Sequence, residues 1–125
     1  MRLILVDSSV WAEHFRVGDG LLELCLRAKR VRMHPFVIGE LAMGNLPQRG
    51  RTLAELDALH RVGAASDSEV LSLIETGGHY GAGLSWVDMH LLAAVLLRED
   101  VDLWTRDRRL NAAAARYGRA ARLHH

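Results

Sequence analysis

The sequence predicts an α/β fold, a single layered domain built on a mainly parallel sheet. Three observations predict it. Residues 3–6 (Leu-Ile-Leu-Val) form an unbroken apolar run closed by Asp7, the pattern of a strand covered on both faces in a parallel sheet. A second such run, Leu103-Trp104-Thr105, comes late in the chain and is closed by Asp107. Between them, segments with helical spacing alternate with short strand-like stretches, which is the order of βαβ units.

Each element has a local reason. After the first strand (Arg2 to Val6), Ser8 or Ser9 is suited to cap a helix carrying Val10, Trp11, His14 and Phe15. Gly18-Asp19-Gly20 interrupts it, and a second amphipathic helix covers Leu21 to Arg30. Val31-Arg32-Met33 reads as a short strand, and Pro35 suits the first turn of a helix reaching about Leu46. Pro47-Gln48-Arg49-Gly50 is a turn before a polar-faced helix from Thr52 to about Arg61. A weak strand is expected near Ala64-Ala65-Ser66. Asp67-Ser68-Glu69 then opens a helix bearing Val70, Leu71, Leu73 and Ile74. The glycine-rich segment Gly77 to Gly83 is expected to be the most flexible of the chain. A long apolar helix from about Ser85 to Leu97, a buried strand from Asp102 to Thr105 and an alanine-rich helix from Asp107 to about Tyr117 complete the order.

A length of 125 residues suits one domain spanning 1–125, and 50% hydrophobic residues suffice for a core without disulfides or structural zinc. The one cysteine, Cys25, lies in a leucine-rich segment and reads as a small core residue; it excludes an internal disulfide and a cysteine zinc site. No apolar stretch approaches the roughly 20 residues of a membrane span, and the chain starts directly in a strand, so a cytoplasmic location is expected. The terminal His124-His125 pair is too short to decide whether it is native. A net charge of +1 excludes a histone-like polycation, yet 15 of the 16 basic residues are arginine. Arginine codons follow a GC-rich genome, and the guanidinium fork still suits phosphate.

Four carboxylates carry the chemistry: Asp7, Glu40, Asp88 and Asp107. Asp7 and Asp107 follow the carboxyl ends of strands, where ligand crevices of open α/β sheets lie. From Asp88, the apolar Leu91, Leu92 and Val95 fall at i+3, i+4 and i+7, which places the acid on the buried face of its helix. Glu40 has Phe36 and Val37 before it and Met43 and Gly44 after it at the same offsets, so it too is expected to point inward. Two charges about 4 Å apart repel by about 4 kcal/mol at an effective dielectric of 20. Such a nest requires cations or protonation, and an all-oxygen donor set favours Mg²⁺ or Mn²⁺ over zinc. Taken singly, Asp107 and Asp7 also make sense as helix caps, and Asp88 as an acid at a helix N-terminus; it is the conjunction that points to phosphodiester cleavage. The histidines lack metal-ligand spacing. His34 reads as structural and His90 as solvent-facing, while Asp102 is expected in a solvated turn within reach of the pocket rim. Neither a P-loop nor a Gly-x-Ser-x-Gly elbow is present.

Four segments in order, Leu5-Val6-Asp7-Ser8-Ser9-Val10-Trp11, His34 to Leu41, Gly83-x4-Asp88-x-His90-Leu91-Leu92-Ala93 and Leu103 to Leu110, make the chain resemble the PIN-domain ribonucleases, and within them the VapC-type toxins of bacterial toxin–antitoxin pairs. The resemblance covers essentially the whole chain. It implies a PIN-like three-layer α/β/α sandwich and a metal-dependent endoribonuclease whose acidic positions match Asp7, Glu40, Asp88 and Asp107. Ser8 and Thr105 match hydroxyl positions beside that site, with Ser8 where threonine is frequent. It further implies a toxin that cuts tRNA, rRNA or mRNA, a homodimer, and a cognate VapB-type antitoxin whose tail blocks the site. On this reading Asp7, Asp88 and Asp107 hold one or two Mg²⁺ (or Mn²⁺) ions, Glu40 ligates or holds the attacking water, and Arg106, Arg108 and Arg109 contact RNA phosphates. The exposed apolar residues expected on the first two helices (Trp11, Phe15, Leu22 and Leu26) would serve association. A catalytically silent nucleic-acid-binding protein of the same fold is the alternative. A phospho-acceptor signalling domain would want a lysine at a late strand end, and Lys29 stands early.

Overall fold

The computed structural model describes residues 1–123; the His124-His125 pair lies outside the described residues. Strand β1 (Leu3–Val6) is central and pairs in parallel with β2 (Val31–Arg32) on one side and β3 (Val101–Trp104) on the other. Single parallel bridges, Met33 with Arg61 and Leu103 with Ala120, add one more pairing at each edge. Leu5, Val6 and Leu103 are fully buried, which is why these strands read as unbroken apolar runs.

Among the described residues seven helices cover the sheet: α1 (Ser8–Val17), α2 (Gly20–Arg27), α3 (Pro35–Ala42), α4 (Arg49–Asp57), α5 (Asp67–Gly77), α6 (Trp86–Leu96) and α7 (Arg108–Arg116). From β1 the chain steps outward through α1 and α2 to β2, then through α3 and α4 to the Arg61 edge. It returns through α5 and α6 to β3, on the other side of β1, and continues through α7 to Ala120. Right-handed crossovers in opposite directions put the two helix groups on opposite faces. The packing agrees, since α3 touches α1 and α4 while α6 touches α5, α7 and β3. The result is the α/β/α sandwich. Strand order reverses between β1 and β3, so the loops after these strands diverge to opposite faces and leave a crevice at their carboxyl ends.

Several expectations change in detail. The first helix is capped by Asp7 rather than by Ser8 or Ser9. Helix α2 stops at Arg27, with Lys29 in a left-handed turn (φ 57°), and α3 stops at Ala42 rather than Leu46. Helix α4 begins at Arg49 and ends at Asp57, so the edge pairing falls at Arg61, and residues 64–66 form no strand. Ser66 instead caps α5, in a box closed by Glu69. Within the 77–83 segment His79 is buried and its Nε2 lies 2.7 Å from the Tyr117 hydroxyl, while residues 80–83 are exposed. Trp11 and Leu22 belong to the core and offer no surface for association, while Phe15 and Leu26 are partly buried. Cys25 is buried, as expected.

His90 is a correction with a clear cause. It is buried, with its ring 4.7 Å from both Phe36 and Trp86. Helix α6 is enclosed on all sides, with Met89 to Val95 buried, so a side chain that points away from Asp88 still meets protein. His34 is structural as expected: its Nδ1 accepts the Phe36 amide at 3.0 Å and caps α3.

Candidate active site

Asp7 is the floor of the crevice. Its amide donates to the Trp104 carbonyl at 2.9 Å, extending the β1–β3 ladder by one step, and the residue is only 6% exposed. Oδ1 accepts the Ser8 amide at 2.8 Å. Oδ2 accepts hydroxyl hydrogens from Ser9 at 2.8 Å and from Thr105 at 2.7 Å. Those hydroxyls are in turn held by backbone of the loop after β3, since the Arg106 amide donates across to Ser9 Oγ and the Asp107 amide locally to Thr105 Oγ1, each at 3.0 Å. Thr105 stands where the sequence pattern put it. Ser9 was missed as a site residue, because its part depends on the loop after β3 crossing above β1, which no local pattern records.

Glu40 comes from the opposite wall, on α3. Its Oε1 accepts the Ser8 hydroxyl at 3.1 Å, and the same hydroxyl lies 3.4 Å from Asp7 Oδ1. Ser8 thus joins the two carboxylates, as its sequence position suggested. The inward, buried orientation expected for Glu40 is corrected: the residue is solvent-exposed. Its apolar neighbours explain the error, since Phe36, Met43 and Gly44 are themselves at the surface. The carboxyl end is nevertheless partly stripped of water against the start of α1. That burial, with repulsion from Asp7 and Asp88, raises its pKa above the ordinary 4.5, while the Ser8 hydroxyl opposes the rise.

Asp88 is half-buried in the first turn of α6. Its Oδ2 accepts the Ser85 amide and Ser85 Oγ accepts the Asp88 amide, both at 3.0 Å, a reciprocal cap. Asp107 is exposed and caps α7 through Oδ1, which accepts the Arg109 and Leu110 amides at 2.8 and 3.2 Å. It connects to Asp7 through Thr105. Both acids therefore serve as caps with one oxygen and keep the other without a hydrogen-bond partner among the described residues.

Two further expectations shift. The Arg106 guanidinium is committed to Asp19, at 2.7 Å, where the acid caps α2 and is almost fully buried. Arg109 lies against Gly83, where a Cβ would fall 2.6 Å from its Nη1. Arg108 and Arg109 are exposed, and neither forms an ion pair among the described residues. Asp102 does not reach the rim: it is buried at the other end of β3, bound by both Arg2 Nε and Nη2 at 2.9 and 2.8 Å.

The donor set fits a hard divalent cation, being entirely oxygen, with Glu40 disfavoured as an anion first by burial and then by Asp7 and Asp88. It is no preformed cage. Among the described residues, no group of three His, Cys, Asp or Glu side chains stands ready to hold a metal. Mg²⁺ suits such a site, because it keeps several waters and takes one or two carboxylates together with substrate phosphate.

No family model matches the chain. It is similar to the protein named Ribonuclease VapC32 in two Mycobacterium tuberculosis strains, CDC 1551 / Oshkosh and H37Rv. Each is 43% identical over 116 residues, covering 93% of this chain and 94% of the relative. The β1–β3 crevice, with Asp7 at its floor and Glu40 bound through Ser8, lies in a chain aligned to these proteins over almost its full length. The chain belongs to the VapC ribonucleases of the PIN-domain family.

Proposed function

We propose that this protein is the toxin of a toxin–antitoxin pair, a Mg²⁺- or Mn²⁺-dependent endoribonuclease neutralised by a VapB-type antitoxin. The observation that carries the reading is the joining of acids from separate elements at the carboxyl edge of the sheet: Asp7 after β1 and Glu40 on α3 are linked through the Ser8 hydroxyl, and the charge of Asp88, in the first turn of α6, adds to the rise that burial causes at Glu40. Near-full-length identity to proteins named as ribonucleases gives that chemistry its substrate class.

Asp7, Glu40 and Asp88 would hold the cation, with Asp107 at its edge through the oxygen that caps nothing. The ion would supply Lewis acidity to a phosphate oxygen and to the attacking water. Asp7, fixed by hydroxyls and backbone, presents a carboxylate whose orientation costs nothing at the moment of reaction. Glu40, held by the Ser8 hydroxyl and open to solvent, would ligate the ion or hold the attacking water. Arg108 and Arg109 would meet the RNA backbone. A homodimer and a cytoplasmic setting complete the proposal; no helix among the described residues is long and apolar enough to cross a membrane.

The purified protein should cut a structured RNA with Mn²⁺ or Mg²⁺ and stop on addition of EDTA. Asp7→Asn and Asp88→Asn should each lower kcat by about 100-fold or more, the loss expected when a group acting on the transition state is removed. Undiminished cleavage by either variant would remove that acid from the mechanism.

A further inference from the structure

The two oxygens of Asp7 have different surroundings, and Ser9 creates the difference. A backbone amide only donates, so the Arg106 amide occupies a lone pair of Ser9 Oγ and the Asp107 amide a lone pair of Thr105 Oγ1. Each hydroxyl has one hydrogen. A carboxylate oxygen only accepts, so each of these hydrogens goes to Asp7 Oδ2, at 2.8 Å from Ser9 and 2.7 Å from Thr105. Oδ2 therefore receives two hydroxyl donors, each of which is also held by a backbone amide. The 3.4 Å Ser9–Thr105 approach is then a contact between two acceptors, since both hydrogens are spent on Asp7.

Oδ1 is different. It receives the Ser8 amide at 2.8 Å and only a long 3.4 Å approach from the Ser8 hydroxyl, whose better-placed partner is Glu40 Oε1 at 3.1 Å. Oδ1 thus retains acceptor capacity on the side facing Glu40, whereas Oδ2 has none to spare.

We propose that Ser9 is a positioning residue: with Thr105 it saturates Asp7 Oδ2, so that Oδ1 is the oxygen Asp7 turns toward a cation and substrate phosphate. The inference rests on the ribonuclease reading above for its substrate and adds a residue and an atom to it. Loss of the Ser9 hydroxyl removes one of the two hydrogens that hold the carboxylate plane and leaves the Arg106 amide without its acceptor. Hydrogen-bond partners of ligating groups typically carry 10–100-fold in metal affinity or activity. Threonine supplies the same hydroxyl and should restore the arrangement.

The test compares wild type, Ser9→Ala and Ser9→Thr in two assays. Mn²⁺ binding is measured calorimetrically without RNA, and RNA cleavage is measured for kcat and KM at saturating Mn²⁺; circular dichroism checks that each variant is folded. Ser9→Ala should bind Mn²⁺ about 10-fold more weakly and lose about 10-fold in kcat with KM unchanged, and Ser9→Thr should recover both. The proposal is overturned if folded Ser9→Ala matches wild type in both assays, or if Ser9→Thr is as impaired as alanine. A wild type that binds Mn²⁺ yet cuts no RNA would sink the ribonuclease reading, and the binding assay would still decide the role of Ser9. A wild type that neither binds nor cuts overturns both.

Discussion

Burial shifts two side chains on the α3 segment in opposite directions. His34 is held neutral, its pKa lowered to about 4 first by burial and then by the nearby His90 and Arg61. In the unfolded chain it takes up a proton near 6.5, so between these values the unfolded state binds more protons and stability falls with falling pH. By pH 4 the group should have removed about 3 kcal/mol. His34→Asn keeps a side-chain acceptor for the Phe36 amide and should flatten that acid slope in urea unfolding between pH 7 and pH 4; an unchanged slope would refute the assignment. Glu40 works the other way. Its raised pKa means that the folded state binds the extra proton, so stability is lost as pH rises from 4.5 through the folded value. Glu40→Gln should be more stable than wild type at pH 7, and the gain should vanish below pH 4.5.

Asp107 separates the two duties an acid can have at an element's end. As the cap of α7 it needs only an acceptor oxygen, which asparagine provides, whereas a cation needs the charge. Asp107→Asn should therefore keep wild-type stability and lose activity, while Asp107→Ala should lose activity and about 1 kcal/mol of stability as well. Equal activity in wild type and Asp107→Asn would leave it a cap alone. The same distinction shows what was legible in the sequence. Strands β1 and β3 announced themselves because both faces are covered; of the acids that follow them, Asp7 is the floor of the crevice and Asp107 is an exposed cap tied to it through Thr105. The edge pairings at Arg61 and Ala120 left no trace, since a single bridge imposes no apolar run. For Glu40 the apolar spacing was real, but most of the face it marked lies at the surface. Periodicity reports which residues share a side of a helix; it does not report what lies opposite. The Arg106 amide on Ser9 and the Arg106 ion pair with Asp19 join residues 97 and 87 apart, and spacing along the chain carries no information about them.

At the scale of the whole molecule, the crevice exists because the loops after β1 and β3 part toward opposite helix layers, and one ion pair spans the parting. Arg106, in the loop after β3, reaches Asp19 at the start of α2 on the other layer. Asp19 is nearly buried and also donates its amide to His14 Nδ1, so removing the arginine leaves an uncompensated acid at a helix start. With Arg106 itself half-exposed, solvent screens part of that loss, and Arg106→Ala should cost about 1–2 kcal/mol, the range of a hydrogen bond to a charged group at a partly open site. Arg108 and Arg109 carry no such duty and remain available to phosphate. RNA affinity should therefore depend on them in a way it does not depend on Arg106. On single-stranded RNA each phosphate contact contributes about −0.7 to the slope of log K against log salt. The Arg108→Ala and Arg109→Ala variants of a cleavage-inactive Asp7→Asn background should each flatten that slope by about this amount, with melting temperature unchanged. Arg106→Ala in the same background should lower the melting temperature and leave the slope where it was. The reverse outcome, a flatter slope for Arg106→Ala with stability intact, would move this arginine from the frame of the crevice to its RNA-binding wall.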